Sequence, residues 1–224
     1  MIRVFIGYDH DESVAYHTCA SSIIRWSSRP VSITPIASHH FRGFYSRERD
    51  AKQSNDFSFT RFLTPYLCDY QGWAIFMDCD IVVNCDIAEL WDLRDPEYAV
   101  QVCKHEYHPR NATKYLGRVQ YPYPCKNWSS VMLMNTEKCT ALTPAYVQQA
   151  SGMEVHRFQW AYPEKVGSLP LEYNWLVGEY PHNPDARIIH YTVGGPWFSQ
   201  YRNTDYAGIW GDENYHMAYA KPDV

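Results

Sequence analysis

The chain has 224 residues, 46% of them apolar and 20% charged, with a formal net charge of -5. Such a length buries a substantial core, and this composition excludes a disordered or fibrous chain. The negative balance, with no dense basic run, excludes nucleic acid as the main partner.

Ile2-Arg3-Val4-Phe5-Ile6-Gly7 reads as a strand ending at Gly7-Tyr8-Asp9. No charged leader followed by an apolar stretch is present and no run reaches membrane-spanning length, so the expectation is a cytoplasmic protein with no transmembrane segment. The 7 cysteines have no metal-like spacing and fit reduced thiols. Residues 12–26 read as a helix with Val14, His17, Thr18, Ser21 and Ile24 on one stripe, flanked by Cys19 and Ile23. Val31 to Ile36 is a second strand, and Pro35 marks it as an edge or a bend. Residues 40–56 are polar and arginine-rich and read as a mobile loop. Ser58 to Tyr70 reads as a helix interrupted by Pro65.

The apolar strand Trp73-Ala74-Ile75-Phe76-Met77 then runs into Asp78-Cys79-Asp80 and on into Ile81-Val82-Val83. Asp86 follows as a helix N-cap, with Glu89 expected as its capping-box partner. Tyr98 to Cys103 is a strand. Residues 104–128 form a long loop rich in His, Tyr, Pro and Asn, of a length that is often functional. Ser130 to Met134 is a strand, and residues 143–162 are helical in part. A late strand, Ala186 to Tyr191, leads to the turn Gly194-Gly195-Pro196-Trp197. Alternating strands and helices give an α/β fold with a mainly parallel central sheet flanked by helices, here one domain over residues 1–224. Ligands of such sheets lie at the carboxyl ends of strands, where Asp9, Asp78, Asp80 and His190 all fall.

The Asp-x-Asp corner carries the chemistry. Two carboxylates one residue apart leave an extended backbone on the same side. Charges beside apolar strands are costly unless paired, and a hard divalent cation such as Mg2+ or Mn2+ is the simplest partner. The plainer reading is a pair of turn or helix caps. Aromatics make up 16% of the chain, and such faces suit sugars and bases, although most serve as core.

Four motifs in order resemble glycosyltransferase family 8. They are Phe59-Thr60-Arg61-Phe62-Leu63-Thr64-Pro65-Tyr66-Leu67, then Asp78-Cys79-Asp80, then Asp86-Ile87-Ala88-Glu89-Leu90-Trp91, and last His190-Tyr191-Thr192 with Pro196-Trp197. The resemblance implies a GT-A fold, the Rossmann-like nucleotide-diphospho-sugar transferase architecture. It implies a hexosyltransferase moving a sugar from a nucleotide-sugar donor, UDP-hexose foremost, to a glycan or other hydroxyl acceptor, with retention of configuration. Asp78, Asp80 and His190 would hold Mn2+ or Mg2+, Asp80 most directly. Gly7, Tyr8 and Asp9 would hold the nucleoside, and Arg61 would reach the donor sugar or phosphate. Gly194 and Gly195 would offer amides to phosphate, with Cys79 and Trp197 completing the donor-binding set. Gln159 would lie beside the anomeric carbon.

The departures from the family pattern are specific. A lysine expected before the last Pro-Trp is Gly195 here, leaving Arg187, Arg202 and Lys126 as replacements. Trp128 stands where a sugar-binding asparagine is expected, and Phe158-Gln159-Trp160 replaces an Asp-Gln-Asp run. They keep open a degenerate nucleotide-sugar-binding module without transfer. Asp-x-Asp after an apolar strand also allows a haloacid-dehalogenase-type phosphatase with Asp78 as nucleophile, but a strand–helix–strand unit precedes it and no later acidic pair ends a strand. The loop 104–128 and the aromatic tail 197–219 are the candidate acceptor surfaces.

Overall fold

Among the described residues, two sheets meet at the Asp-x-Asp corner. The computed structural model describes residues 1–49 and 53–219. Within the expected loop 40–56, residues 42–49 carry turns and irregular backbone, and residues 50–52 lie outside the described residues. The strands of the main sheet are β1 (Ile2–Tyr8), β2 (Val31–Ala37), β3 (Trp73–Met77), β5 (Val100–Cys103), β6 (Val131–Asn135) and β7 (Val166–Leu169). Their order is β2-β1-β3-β6-β5-β7 among the described residues. β1 pairs in parallel with β2 and β3, and β5 in parallel with β7. β6 runs antiparallel to both β3 and β5. The mainly parallel α/β reading holds. Pro35 lies on β2, an edge strand, where its missing N–H costs no ladder bond.

The second sheet has the order β4-β9-β8, from β4 (Ile81–Val83), β8 (Trp175–Leu176) and β9 (Ile188–His190). Its side chains alternate as a pleat requires. Val82 and Ile189 enter a small core with Tyr191, Tyr206 and Trp210, while Ile81, Val83 and Ile188 face the main core. The helices are α1 (Ser13–Trp26), α2 (Thr64–Leu67), α3 (Ile87–Asp92), α4 (Pro144–Gln149), α5 (Gly152–His156) and α6 (Ala207–Ala218).

Three local expectations change. The buried face of α1 is Ala15, Tyr16, Thr18, Cys19, Ser22 and Ile23, whereas Val14 and Ile24 are exposed. Small residues at 15, 19 and 22 let the helix approach the strands closely, and that outweighs apolarity at 14 and 24. The helix expected over 58–70 is a 3-10 turn, Thr60–Leu63, followed by the short α2. Pro65 sits in the first turn of α2, where its missing N–H is tolerated. Asp86 does cap α3, accepting from the Ala88 amide, but Glu89 reaches out to Arg187 instead of closing a capping box.

The tail expected to be an acceptor surface is largely structural. α6 packs on α1, where Glu213 accepts from Arg25 Nη1 at 2.8 Å and Trp26 Nε1 at 3.0 Å. Trp197 and Trp210 contribute to the small core.

Ser22 ties α1 to the corner. Its buried hydroxyl donates to the Cys19 carbonyl and accepts from the Val83 amide at 3.0 Å. Ser22→Ala strands that buried amide, and urea denaturation should show a loss of about 1–3 kcal/mol. An unchanged midpoint would mean that the contact does not hold β4 in place.

Candidate metal centre

The backbone ladders assemble the site. The Asp78 amide donates to the Ser130 carbonyl at 2.9 Å, extending the β3–β6 pairing and bringing Ser129 and Ser130 beside the corner. β4 and β9 pair Ile81 with His190, and the Tyr191 amide donates to the Asp80 carbonyl at 2.9 Å. His190 is thereby carried next to Asp80 from 110 positions along the chain. One ligand atom from each of Asp78, Asp80 and His190 lies within 4.8 Å of the others, and all three side chains are buried.

Each ligand is held from behind. Arg61 Nη1 donates to Asp78 Oδ1 at 2.6 Å and to the Ser129 carbonyl at 2.9 Å. The guanidinium lies 5.2 Å from the ring centres of both Phe57 and Phe76. His190 Nδ1 lies 2.9 Å from Asn174 Oδ1, and its Nε2 lies 3.2 Å from Asp80 Oδ1. Asp80 Oδ1 is nevertheless buried without a hydrogen bond, because the ring N–H direction does not aim at it. An orphaned carboxylate oxygen, a second carboxylate and an imidazole converging on one point fit a divalent cation.

The electrostatics differ for the two aspartates. Burial pushes Asp78 up to about 6 despite Arg61. Burial also raises Asp80, but His190, Lys114 and a backbone hydrogen bond together hold the carboxyl below its usual range. Behind them lies Glu12, which burial and then Asp80 push up to about 8. Tyr115 donates to Glu12 Oε2 at 2.6 Å, and Glu12 Oε1 is buried without a partner.

The triad lines a cleft of about 470 Å³ with Arg61, Lys114, Lys126, Asn127, Ser129 and His156 among its walls. Lys114 went unnoticed in the sequence, where only its place in the long loop pointed to it. Burial lowers its ammonium, opposed by Asp80, Glu12 and Asp78. Lys126 is lowered by burial to about 8. Of the other replacement cations, Arg187 pairs with Glu89, and neither Arg187 nor Arg202 lines this cleft. His156 was also unforeseen. Its Nδ1 lies 2.8 Å from Ser129 Oγ, and burial followed by Arg61 lowers it to about 3.

Several expected site residues do something else. Gln159 is exposed in a separate hollow with Lys104, Trp128 and Arg157, so it is not brought to the triad. The side chain of Cys79 is fully buried in the main core. The corner is a bend between β3 and β4, not the extended stretch expected, and it puts Cys79 into the core while both aspartates line the cleft. Asp9 spends both oxygens on backbone amides, from Asp11 at 3.0 Å and Asp56 at 3.1 Å. A Cβ on Gly7 would lie 2.3 Å from the Phe57 ring. Tyr8 packs edge-on against Tyr16 at 5.3 Å. Gly194 and Gly195 are covered by the rings of Tyr201 and Trp197, a packing reason for glycine. Trp197 stacks among Tyr191, Phe198 and Trp210. None of these residues lines the cleft.

Comparison with known proteins agrees with this geometry. Residues 13–200 match glycosyl transferase family 8. The chain is 46% identical over 220 residues to Protein CDI of Arabidopsis thaliana, covering 94% of this chain and 85% of that one. The galactosyltransferase LgtC, solved with donor and acceptor sugar analogues, superposes with a TM-score of 0.65 at 11% identity, covering 99% of this chain and 98% of LgtC. The bifunctional glycosyltransferase WbbM superposes with a TM-score of 0.67 at 14% identity, covering 98% of this chain and 50% of WbbM. The fold is therefore GT-A, as the motifs implied.

Glu12 gives a pH test. Its folded value of about 8 lies above the usual glutamate value of 4.5, so folding favours the protonated form. Its contribution to stability is fully present below pH 4.5 and is lost as pH rises toward 8. Metal-free Glu12→Gln should therefore gain melting temperature relative to wild type as pH goes from 5 to 8.5. Parallel melting curves would remove the buried-acid assignment.

Proposed function

Because this chain belongs to glycosyl transferase family 8, we propose that it moves a hexose from a nucleoside diphosphate donor, UDP before other nucleotides, to an acceptor hydroxyl with retention of configuration. The observation that carries the reading is the convergence of Asp78, Asp80 and His190 beside Lys114 in one cleft. Asp78, Asp80 and His190 would hold Mn2+ or Mg2+, which supplies countercharge for the diphosphate when bound. Lys114 and Lys126 give the same walls positive charge, which suits an anionic donor. Lys114 takes the place of the lysine missing at Gly195. Arg61 acts through Asp78, holding its carboxylate ionised and aimed.

Retention is supported by what the cleft offers as a base. Its carboxylates among the described residues are Asp78 and Asp80, both committed to the cation site. His156, at about 3, is too weak a base to draw a proton from an alcohol. The bond from the anomeric carbon to the phosphate oxygen then breaks ahead of attack. The acceptor oxygen bonds to that carbon on the same face, and the departing phosphate oxygen takes its proton. Exposed Val119, Tyr121, Tyr123 and Met153 at the rim of the cleft suit a glycan acceptor. The position of Gln159, away from the cleft, favours a second reading: a donor-binding module that does not transfer.

Calorimetric titration of UDP with and without Mn2+ tests the donor site. Wild type should bind only with metal, and Asp80→Asn should lose about 100-fold or more in affinity. Binding that ignores both the metal and Asp80 would sink the proposal. Lys114→Met should weaken UDP by about 10-fold, ~1.4 kcal/mol, and flatten its salt dependence. An unchanged affinity would take Lys114 out of the phosphate role. Slow hydrolysis of UDP-hexose without acceptor would separate a transferase from a binding module.

A further inference from the structure

The polar groups behind His190 form a network that fixes its chemistry. Asn174 ends the 3-10 turn Leu171–Asn174 ahead of β8 and is fully buried. Its Nδ2 lies 3.1 Å from the Asn127 carbonyl, 2.8 Å from Ser130 Oγ and 3.0 Å from His105 Nε2. The carbonyl can only accept. Ser130 has already given its proton to the same carbonyl at 2.6 Å, so toward Asn174 it also accepts. A flipped amide would set Oδ1 against both oxygens. The nitrogen must therefore face them, and Oδ1 must face His190.

That orientation decides the proton on His190. Oδ1 has no proton to give, so the ring nitrogen 2.9 Å away, Nδ1, carries the hydrogen. In the neutral ring Nε2 then holds the lone pair, 3.2 Å from the orphaned Asp80 Oδ1 but not aimed at it. Two bare acceptors this close, neither donating to the other, leave their lone pairs free to converge on a cation. His105 completes the network. Its Nε2, 3.0 Å from the same Asn174 Nδ2, can only share one of that amide's two N–H groups as an acceptor, so its own proton is on Nδ1, toward Tyr180 Oη at 2.9 Å.

We propose that Asn174 is a positioning residue that locks neutral His190 in the Nδ1–H form and keeps Nε2 available as a metal ligand. The proposal rests on reading Asp78, Asp80 and His190 as a cation site. Without Asn174, Nε2 could take the proton and donate to Asp80 directly, closing the site to a cation. The lock also reaches the long loop, because the Asn127 carbonyl that orients Asn174 belongs to that loop's base.

Long-range 1H–15N spectra of metal-free protein labelled with 15N-histidine, taken above the imidazolium titration, read the tautomer directly. Wild-type His190 should show the Nδ1–H pattern. Asn174→Ala should shift it to Nε2–H and weaken Mn2+ by about 10- to 100-fold in calorimetry. Asn174→Asp keeps an acceptor and should retain the Nδ1–H pattern, which a purely structural role would not require. An Nε2–H wild type overturns the proposal, even if the variants fail to fold. So does a folded Asn174→Ala that keeps the Nδ1–H pattern and binds Mn2+ within about 3-fold of wild type. An Nδ1–H wild type that binds neither Mn2+ nor Mg2+ would uphold the lock and overturn the cation reading, so the two failures are distinguishable.

Discussion

Negative charge withdrawn from water is the condition around which the cleft is organised. Asp78, Asp80 and Glu12 are all buried, and carboxylates in such a setting must be paired, protonated or bound to a cation. The protein uses a different answer for each. Arg61, wedged between Phe57 and Phe76, pairs with Asp78. His190 flanks Asp80, while Glu12 rises toward the neutral form beside Tyr115. The point left for a cation is where these compensations stop, at the bare Oδ1 of Asp80.

Geometry of this kind needs stiff supports. Asp78 leaves the last residue of β3, and Asp80 precedes the first residue of β4, so the corner is pinned at both ends by different sheets. His190 is the last residue of β9 and Asn174 immediately precedes β8. Ladder hydrogen bonds fix all of these backbones, which limits how far the ligand atoms can drift.

The loop 104–128 supplies two of the cleft's cations, Lys114 and Lys126. Its Thr113–Val119 hairpin is held against the start of α1 by Tyr115 on Glu12 and by Arg118 on Asp11 and the Ser54 carbonyl. The same hairpin carries Lys114 into the cleft. Charge in the cleft and the placement of this hairpin are therefore coupled: titrating or replacing Glu12 acts on the clasp that positions Lys114. The loop's other end is tied to the Asp78–Asp80–His190 cluster through Asn127, whose side chain bonds Tyr107 and Thr192 while its carbonyl orients Asn174.

The sequence by itself determined the frame. Apolar, β-prone runs marked β1, β2, β3, β4, β5, β6 and β9, and the alternation of strands and helices required a mainly parallel sheet. Asp78, Asp80, His190 and Arg61 were legible because carboxylates, an imidazole and a guanidinium stand out against apolar strands and recur in ordered motifs. Short β7 and β8 and the helix α6 carried too little periodic signal to be read. Only the tertiary structure decided which polar residues share the cleft. Local pattern reports the face a side chain leaves by, but not which distant segment meets it. Asp9 looked free until the amides of Asp11 and Asp56 claimed its oxygens. Gln159 looked adjacent until it emerged on another face. Lys114, His156 and Asn174 carry no local mark at all: their roles come from pairings between segments far apart in the chain, and spacing along one strand or helix does not encode those pairings.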